Sequence, residues 1–227
     1  MPHNRSHMTE LLLIRHGETD WNRRQCFQGQ IDVPLNAHGL AQAERLAARL
    51  RAEPIQALVA SDLSRALQTA APLAHALGLQ TERQAALREQ GFGILEGMSF
   101  DDIRRAHPEE FAQWARHEPD YALPGGAESR QHFFQRVIAA LGQLAVAHPR
   151  QTLAVVTHGG VLDMVWRHAQ ALPLHGPREC AIPNTGINRV RVRLDDAGAA
   201  RFEILGWADA AHLEGLADQG LAAVSAR

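Results

Sequence analysis

Apolar residues along this chain follow two rhythms, short unbroken runs and three- or four-residue steps, and the two alternate. Leu11–Ile14 is unbroken, as expected of a strand buried on both faces. From Gly39 the pattern turns helical, with Leu40, Ala43, Leu46, Ala47 and Leu50 on one stripe that stops near Pro54. Ile55–Ala60 is a second run. Ser61 and Asp62 then offer an N-cap for a helix through Leu63, Ala66, Leu67, Ala70 and Leu73, ending by Gly78. A weak strand is expected near Gln80–Arg83. Glu128–Ala147 reads as an amphipathic helix and Leu153–Val156 as a third run, followed by Thr157-His158-Gly159-Gly160 and a helix to about Ala171. Val190, Val192 and Leu194 alternate with Arg189, Arg191 and Arg193, turn at Asp195–Gly198 and return through Phe202–Leu205, a hairpin with one polar face.

Strands alternating with helices predict an α/β fold, a three-layer αβα sandwich around a mostly parallel central sheet. Leu95–Pro124 breaks the alternation. Short helical pieces starting near Ser99 and Pro108 carry Phe100, Phe111, Trp114 and Tyr121, and read as a small helical lid inserted at about 95–124. The expected organisation is one domain over 8–217. Residues 1–7 form a leader or cloning remnant without the apolar centre of a signal peptide, and 218–227 a frayed tail.

Composition narrows the chemistry. Of 227 residues, 45% are apolar and 21% charged, ordinary for a globular protein large enough to bury a core. The net charge of −2 supplies no basic field for nucleic acid, and no apolar stretch approaches the roughly 20 residues of a membrane span. All 23 basic residues are arginine. Schiff-base, P-loop and general-base lysines are therefore excluded, and any phosphate must be held by Arg, His or backbone N–H groups. Cys26 and Cys180 stand far apart without metal-ligand spacing, as expected of thiols in a reducing cytoplasm.

Ligands of parallel sheets bind at the carboxyl ends of the strands, and here three runs deliver polar groups just beyond those ends. The first presents Arg15 and His16, the second leads to Arg65 one turn into its helix, and the third ends at His158. Helix starts add partial positive charge. Two arginines and two histidines at one edge suit a phosphoryl group, whose transfer needs a positioned nucleophile and charge stabilisation. A neutral imidazole is a competent nucleophile, a leaving alkoxide needs a proton, and Glu89 is the candidate acid. Taken singly, each of these residues has a bland structural reading; the conjunction carries the inference.

These residues sit in recognisable motifs. Leu12-Leu13-Ile14-Arg15-His16-Gly17-Glu18-Thr19-Asp20-Trp21-Asn22 resembles the signature of the histidine phosphatase superfamily, the phosphoglycerate mutase-like proteins. The likeness continues through Gln28–Asn36 with Gly39, Ser61–Ala70 around Arg65, Leu87-Arg88-Glu89 to Glu96-Gly97, and Val155–Gly160 around His158, reaching Asn184-Thr185. It implies His16 as nucleophile, Arg15, Arg65, His158 and Asn22 as phosphate ligands, and Glu89 as acid, then base. Gln28, Gly29 and Gly159 would stand at the rim, with no metal or organic cofactor and a small phosphate ester as substrate. Mutases of the family carry a tyrosine and a lysine where this chain has Phe92 and Phe100, although Arg104-Arg105 could partly stand in for the lysine. That difference and a Phe-, Met- and Trp-rich lid favour the broad-specificity phosphatase branch. Gly125-Gly126-Ala127-Glu128-Ser129 carries an alanine that many relatives lack.

The rival readings are a phosphoglycerate mutase, a narrow sugar-phosphate or nucleoside-phosphate phosphatase, and a non-catalytic binding module. A metallohydrolase using His16 and His158 is opposed by the flanking arginines, and the glycines of 91–97 have the wrong spacing for a dinucleotide site. Natural substrate and oligomeric state are not legible.

Overall fold

Strands β1 (Met8–Arg15), β2 (Ala57–Ala60), β3 (Thr81–Arg83), β4 (Thr152–Thr157), β5 (Ile187–Leu194) and β6 (Ala200–Asp209) form a six-stranded sheet in the order β3-β2-β4-β1-β5-β6. The computed structural model describes residues 8–195 and 198–216, so the leader at 1–7 and the tail at 218–227 lie outside the described residues. The first four strands run parallel, whereas β5 is antiparallel to β1 and β6 to β5. Helices α2 (Ala37–Leu50) and α3 (Ser64–Leu77) cover one face, and α6 (Arg130–Ala147) and α7 (Gly159–Ala169) the other. This is the three-layer α/β sandwich expected from the sequence.

The unbroken run in β1 follows from its central place. Leu11 and Leu13 pack with Val155, Val161 and Val190 beneath α6 and α7, while Leu12 and Ile14 pack with Ala154, Val156 and Leu46 beneath α2 and α3. All four β1 residues are fully buried. A strand with helices on both faces has no solvent side on which to place polar residues.

Between β3 and α6 the chain forms α4 (Phe100–Ala106), capped by Ser99, and α5 (Pro108–Ala115). Their apolar residues make a separate cluster in which Phe27, Phe92, Phe100 and Trp114 meet at ring-centroid distances of 5.0–5.9 Å. The aromatic residues of this region are therefore largely used as a miniature core. Arg104 pairs with Asp101 and lies over the Phe111 ring, and Arg105 pairs with Asp102.

Several boundaries differ from expectation. α2 starts at Ala37 because Asn36 Oδ1 accepts the Gly39 N–H at 2.8 Å. α3 starts at Ser64, and neither Ser61 nor Asp62 caps it. Asp32, in the loop before α2, accepts the Ser64 N–H at 2.7 Å instead, which frees Ser61 and Asp62 for other partners. The β5–β6 pair is the expected hairpin, although part of its turn lies outside the described residues. The arginines of β5 are not free: Arg189 pairs with Glu10 and Glu53, and Arg191 and Arg193 with Glu203. No helix among the described residues is long and apolar enough to cross a membrane.

Candidate active site

The carboxyl ends of β1 and β4 bring His16 and His158 together, with ring centroids 5.2 Å apart. The backbone around His16 is fastened from three sides. His16 N–H donates to Thr157 O at 2.9 Å, Asn184 Nδ2 donates to His16 O at 2.8 Å, and Thr185 N–H donates to Arg15 O at 2.9 Å. Gly17 N–H donates to Thr69 Oγ1 at 2.9 Å. A side chain on Gly17 would meet Gly39 O at 2.7 Å, so the turn after His16 lies against the start of α2 and only glycine fits there.

His16 Nδ1 lies 2.7 Å from Gly17 O. A carbonyl can only accept, so Nδ1 carries the proton and Nε2 keeps its lone pair. Burial, then the Arg65 and Arg15 charges, hold the His16 pKa well below the ordinary imidazole value. His158 is fully buried and its pKa is likewise depressed, first by burial and then by Arg65 and His16. Its Nε2 is 2.8 Å from Ser61 Oγ, the residue read from sequence as a helix cap. Both rings are neutral near pH 7.

Arg65 is fully buried, and its Nη atoms donate to Ile31 O at 2.9 Å and Gly29 O at 2.8 Å. Arg15 Nη1 donates to Ile182 O at 2.7 Å. Burial lowers both arginines to about 10, so both remain cationic near pH 7. Arg15 Nε, Arg65 Nε and His158 Nδ1 are buried without a hydrogen-bond partner among the described residues. The two unspent guanidinium donors, in cationic surroundings, suit an anion rich in oxygen acceptors.

Glu89 completes the group. Its Oε2 accepts the Gly160 N–H at 2.9 Å and its Oε1 the Gln90 N–H at 2.9 Å, while its charge acts on both Arg15 and Arg65. Arg136 of α6 donates to the carbonyls of Ala86, Arg88 and Glu89 at 2.8, 3.1 and 3.3 Å and pairs with Glu128. Thr157 Oγ1 donates to Leu87 O at 2.8 Å, and Arg88 pairs with Asp62 at 2.7 Å. The segment bearing Glu89 is thus tied to β4, α6 and the loop before α3.

His16, His158, Arg15, Arg65, Glu89 and Gly159 thus stand together at the carboxyl edge, and residues 11–205 of the chain match the family model for the histidine phosphatase superfamily, branch 1. The chain belongs to the histidine phosphatase superfamily. It is 34% identical over 207 residues to phosphoglycerate mutase-like protein 4 of Arabidopsis thaliana, covering 90% of this chain and 87% of that one. It is 34% identical over 211 residues to the metal-independent phosphoserine phosphatase of the same plant, covering 92% and 84%. A solved mycobacterial glucosyl-3-phosphoglycerate phosphatase in complex with VO3 superposes with a TM-score of 0.77 at 27% identity, covering 87% of this chain and 98% of that one. Family names therefore span phosphatases and mutase-like proteins.

Other expected residues stand differently. Gln28 is buried with Oε1 unpartnered among the described residues, and Gly29 offers its carbonyl to Arg65. Asn22 sits in the short helix α1 (Asp20–Arg23), where its Oδ1 accepts from Thr19 N at 3.0 Å and Thr19 Oγ1 at 3.1 Å, so that oxygen is taken by a capping box. Reading the sequence missed Ser61 as a partner of His158, Asn184 as the lock on His16 and Arg178 as a neighbour of Arg15. The first was misread as a cap, and the other two approach only through tertiary structure. Among the described residues no three His, Cys, Asp or Glu side chains form a group able to hold a metal.

Proposed function

We propose that the protein hydrolyses small phosphate monoesters through a phosphohistidine at His16. The observation that carries this reading is the tautomer of His16, with Nδ1 bound to Gly17 O and Nε2 left as a neutral nucleophile among cations. The ester's phosphate would lie against Arg15, Arg65 and His158, with Asn22, Gln28, Gly29 and Gly159 around it. His16 Nε2 attacks phosphorus in line as the ester P–O bond breaks, and the protonated Glu89 carboxyl gives its proton to the leaving alkoxide. Glu89, now a carboxylate, takes a proton from water, which attacks phosphorus and breaks the N–P bond. Inorganic phosphate leaves, and His16 and Glu89 return to their starting states. The pocket stabilises the equatorial oxygens throughout.

Hydrolysis is favoured over mutation at two positions. Phe92 and Phe100 pack against Phe27, so neither provides a hydroxyl or ammonium to a substrate carboxylate. Names among the relatives support both branches, which keeps phosphoglycerate mutase as the second reading. A panel of esters including p-nitrophenyl phosphate and 3-phosphoglycerate, followed for free phosphate and for isomerised product, separates them. Phosphate from several esters without isomerisation is expected; isomerisation stimulated by a bisphosphate would establish the mutase. Metal independence, the property in the name of one relative, predicts full activity in excess EDTA. Substantial loss there would mean that a metal takes part.

A further inference from the structure

We propose that Arg178 is a specificity-determining residue that grips a carboxylate on the leaving-group side of the phosphorylated substrate. The inference rests on the phosphate-ester reading of the pocket. It begins at a clamp the reaction does not use. After α7 the chain turns back along the helix, and Arg167 fixes that return. This residue is 1% exposed, and each of its N–H groups has an acceptor. Nε donates to Asp163 at 3.1 Å, Nη1 to Pro173 O at 2.6 Å and His175 O at 3.1 Å, and Nη2 to Gly176 O at 3.1 Å and to Pro177 O. Arg130 at the start of α6 adds a bond to Gly176 O at 2.9 Å and pairs with Asp163 at 3.1 Å. A guanidinium with all its donors spent on one loop makes that loop a fixed mount.

The next residue on the mount is Arg178. Its Nη atoms lie 3.5 and 3.6 Å from the point a Cβ on Gly159 would occupy, and Arg15 Nε lies 3.5 Å from the same point. Two guanidiniums thus converge over the first residue of α7, where glycine leaves room for both. Their repulsion is real: after burial, Arg178 is the largest influence lowering the Arg15 pKa. Arg178 is exposed and makes no ion pair or hydrogen bond among the described residues. Holding one cation against another on a rigid mount is unfavourable unless an anion comes between them or beside them.

Position selects the anion. Glu89 binds the N–H of Gly160, the residue after Gly159, so Arg178 and the proposed proton donor flank the same end of α7. The group that Arg178 reaches is therefore carried by the departing alcohol rather than by the phosphoryl group. One exposed fork with two parallel N–H donors matches a planar carboxylate, whereas a second phosphoryl group would call for several donors. The arginines of the lid are already taken, Arg104 by Asp101 and Arg105 by Asp102.

Binding without turnover tests this directly. His16→Ala protein is titrated calorimetrically with 3-phosphoglycerate and with glycerol 3-phosphate, which differ by a carboxylate in place of a hydroxymethyl group. The acid is expected to bind about ten-fold tighter or better, the yield of one charge-assisted contact. Adding Arg178→Gln should bring the two ligands within about three-fold, and Arg178→Lys should restore part of the preference, its charge kept and its fork lost. A thermal melt of each variant shows that it is folded, and either substitution suffices for the comparison. The inference is overturned if the parent shows no preference or if the preference survives Arg178→Gln. It also fails if that change weakens both esters and inorganic phosphate alike, for Arg178 would then be a phosphate ligand. Phosphate release from p-nitrophenyl phosphate by the unsubstituted protein reports separately on the reaction: its failure with an intact binding preference would remove the phosphatase reading and leave the subsite.

Discussion

His16 and Glu89 divide the proposed reaction between a nucleophile that must be unprotonated and a carboxyl that must surrender a proton. Depression of the His16 pKa by burial and by two arginines meets the first requirement. The second predicts unequal losses. His16→Ala should lower turnover by at least about a thousand-fold on every ester, because no other side chain replaces the attacking nitrogen. Glu89→Gln keeps the hydrogen-bonding shape but brings no proton, so an alkyl phosphate should slow by about 100-fold or more. p-Nitrophenyl phosphate, whose leaving group departs without protonation, should slow far less. Equal losses on the two esters would remove Glu89 from the role of acid.

Among the elements, loops that carry the proposed catalytic groups are held by arginines on helices. Arg136 reaches from α6 to the carbonyls of Ala86, Arg88 and Glu89, and its pairing with Glu128 keeps it there. Arg136→Gln should therefore act through Glu89, lowering kcat on alkyl phosphates by about ten-fold with a smaller effect on p-nitrophenyl phosphate. If both fall together, Arg136 serves stability alone. Packing between elements also decides which features are legible in the sequence. Buried runs and helical stripes were legible because a central strand such as β1 is apolar on both sides, and Arg15, His16, Arg65 and His158 were legible because they follow those runs. Caps and loops were not. Ser61 has the right type and place for a cap, yet its hydroxyl faces His158, and the Ser64 N–H is accepted by Asp32, one βα unit earlier. The lid aromatics favour a broad-specificity site when read from the sequence, but Phe27, distant in sequence, gathers them into a core. Arg178 has no local pattern at all, since its position is set by Arg167 through contacts the chain makes only when folded.

For the whole molecule, the site has a thermodynamic consequence beyond catalysis. His16 and His158 are buried beside cations and have folded pKa values below the unfolded value of about 6.5. Half-buried His117 and His212 are lowered too, chiefly by burial. Above about pH 6.5 neither the folded nor the unfolded chain protonates these rings, and their contribution to stability is fully present. As pH falls below that value the unfolded chain takes up protons that the folded chain refuses, so stability declines until the folded pKa values are reached. Glu53 and Asp62 are shifted down by arginine partners, and their contribution is lost only as pH falls below about 4. The histidines therefore set the first stage of acid destabilisation. Each can contribute up to about 1.4 kcal/mol per pH unit, so the two active-site rings predict a Tm falling by roughly 5–10 °C per unit below pH 6. Scanning calorimetry between pH 7.5 and 5 measures this, and a His16→Asn, His158→Asn double variant should show a clearly shallower slope. A flat Tm across that range, or a slope unchanged in the double variant, would mean that the two rings accept protons in the folded protein, and the neutral nucleophile assigned to His16 would fall with the prediction.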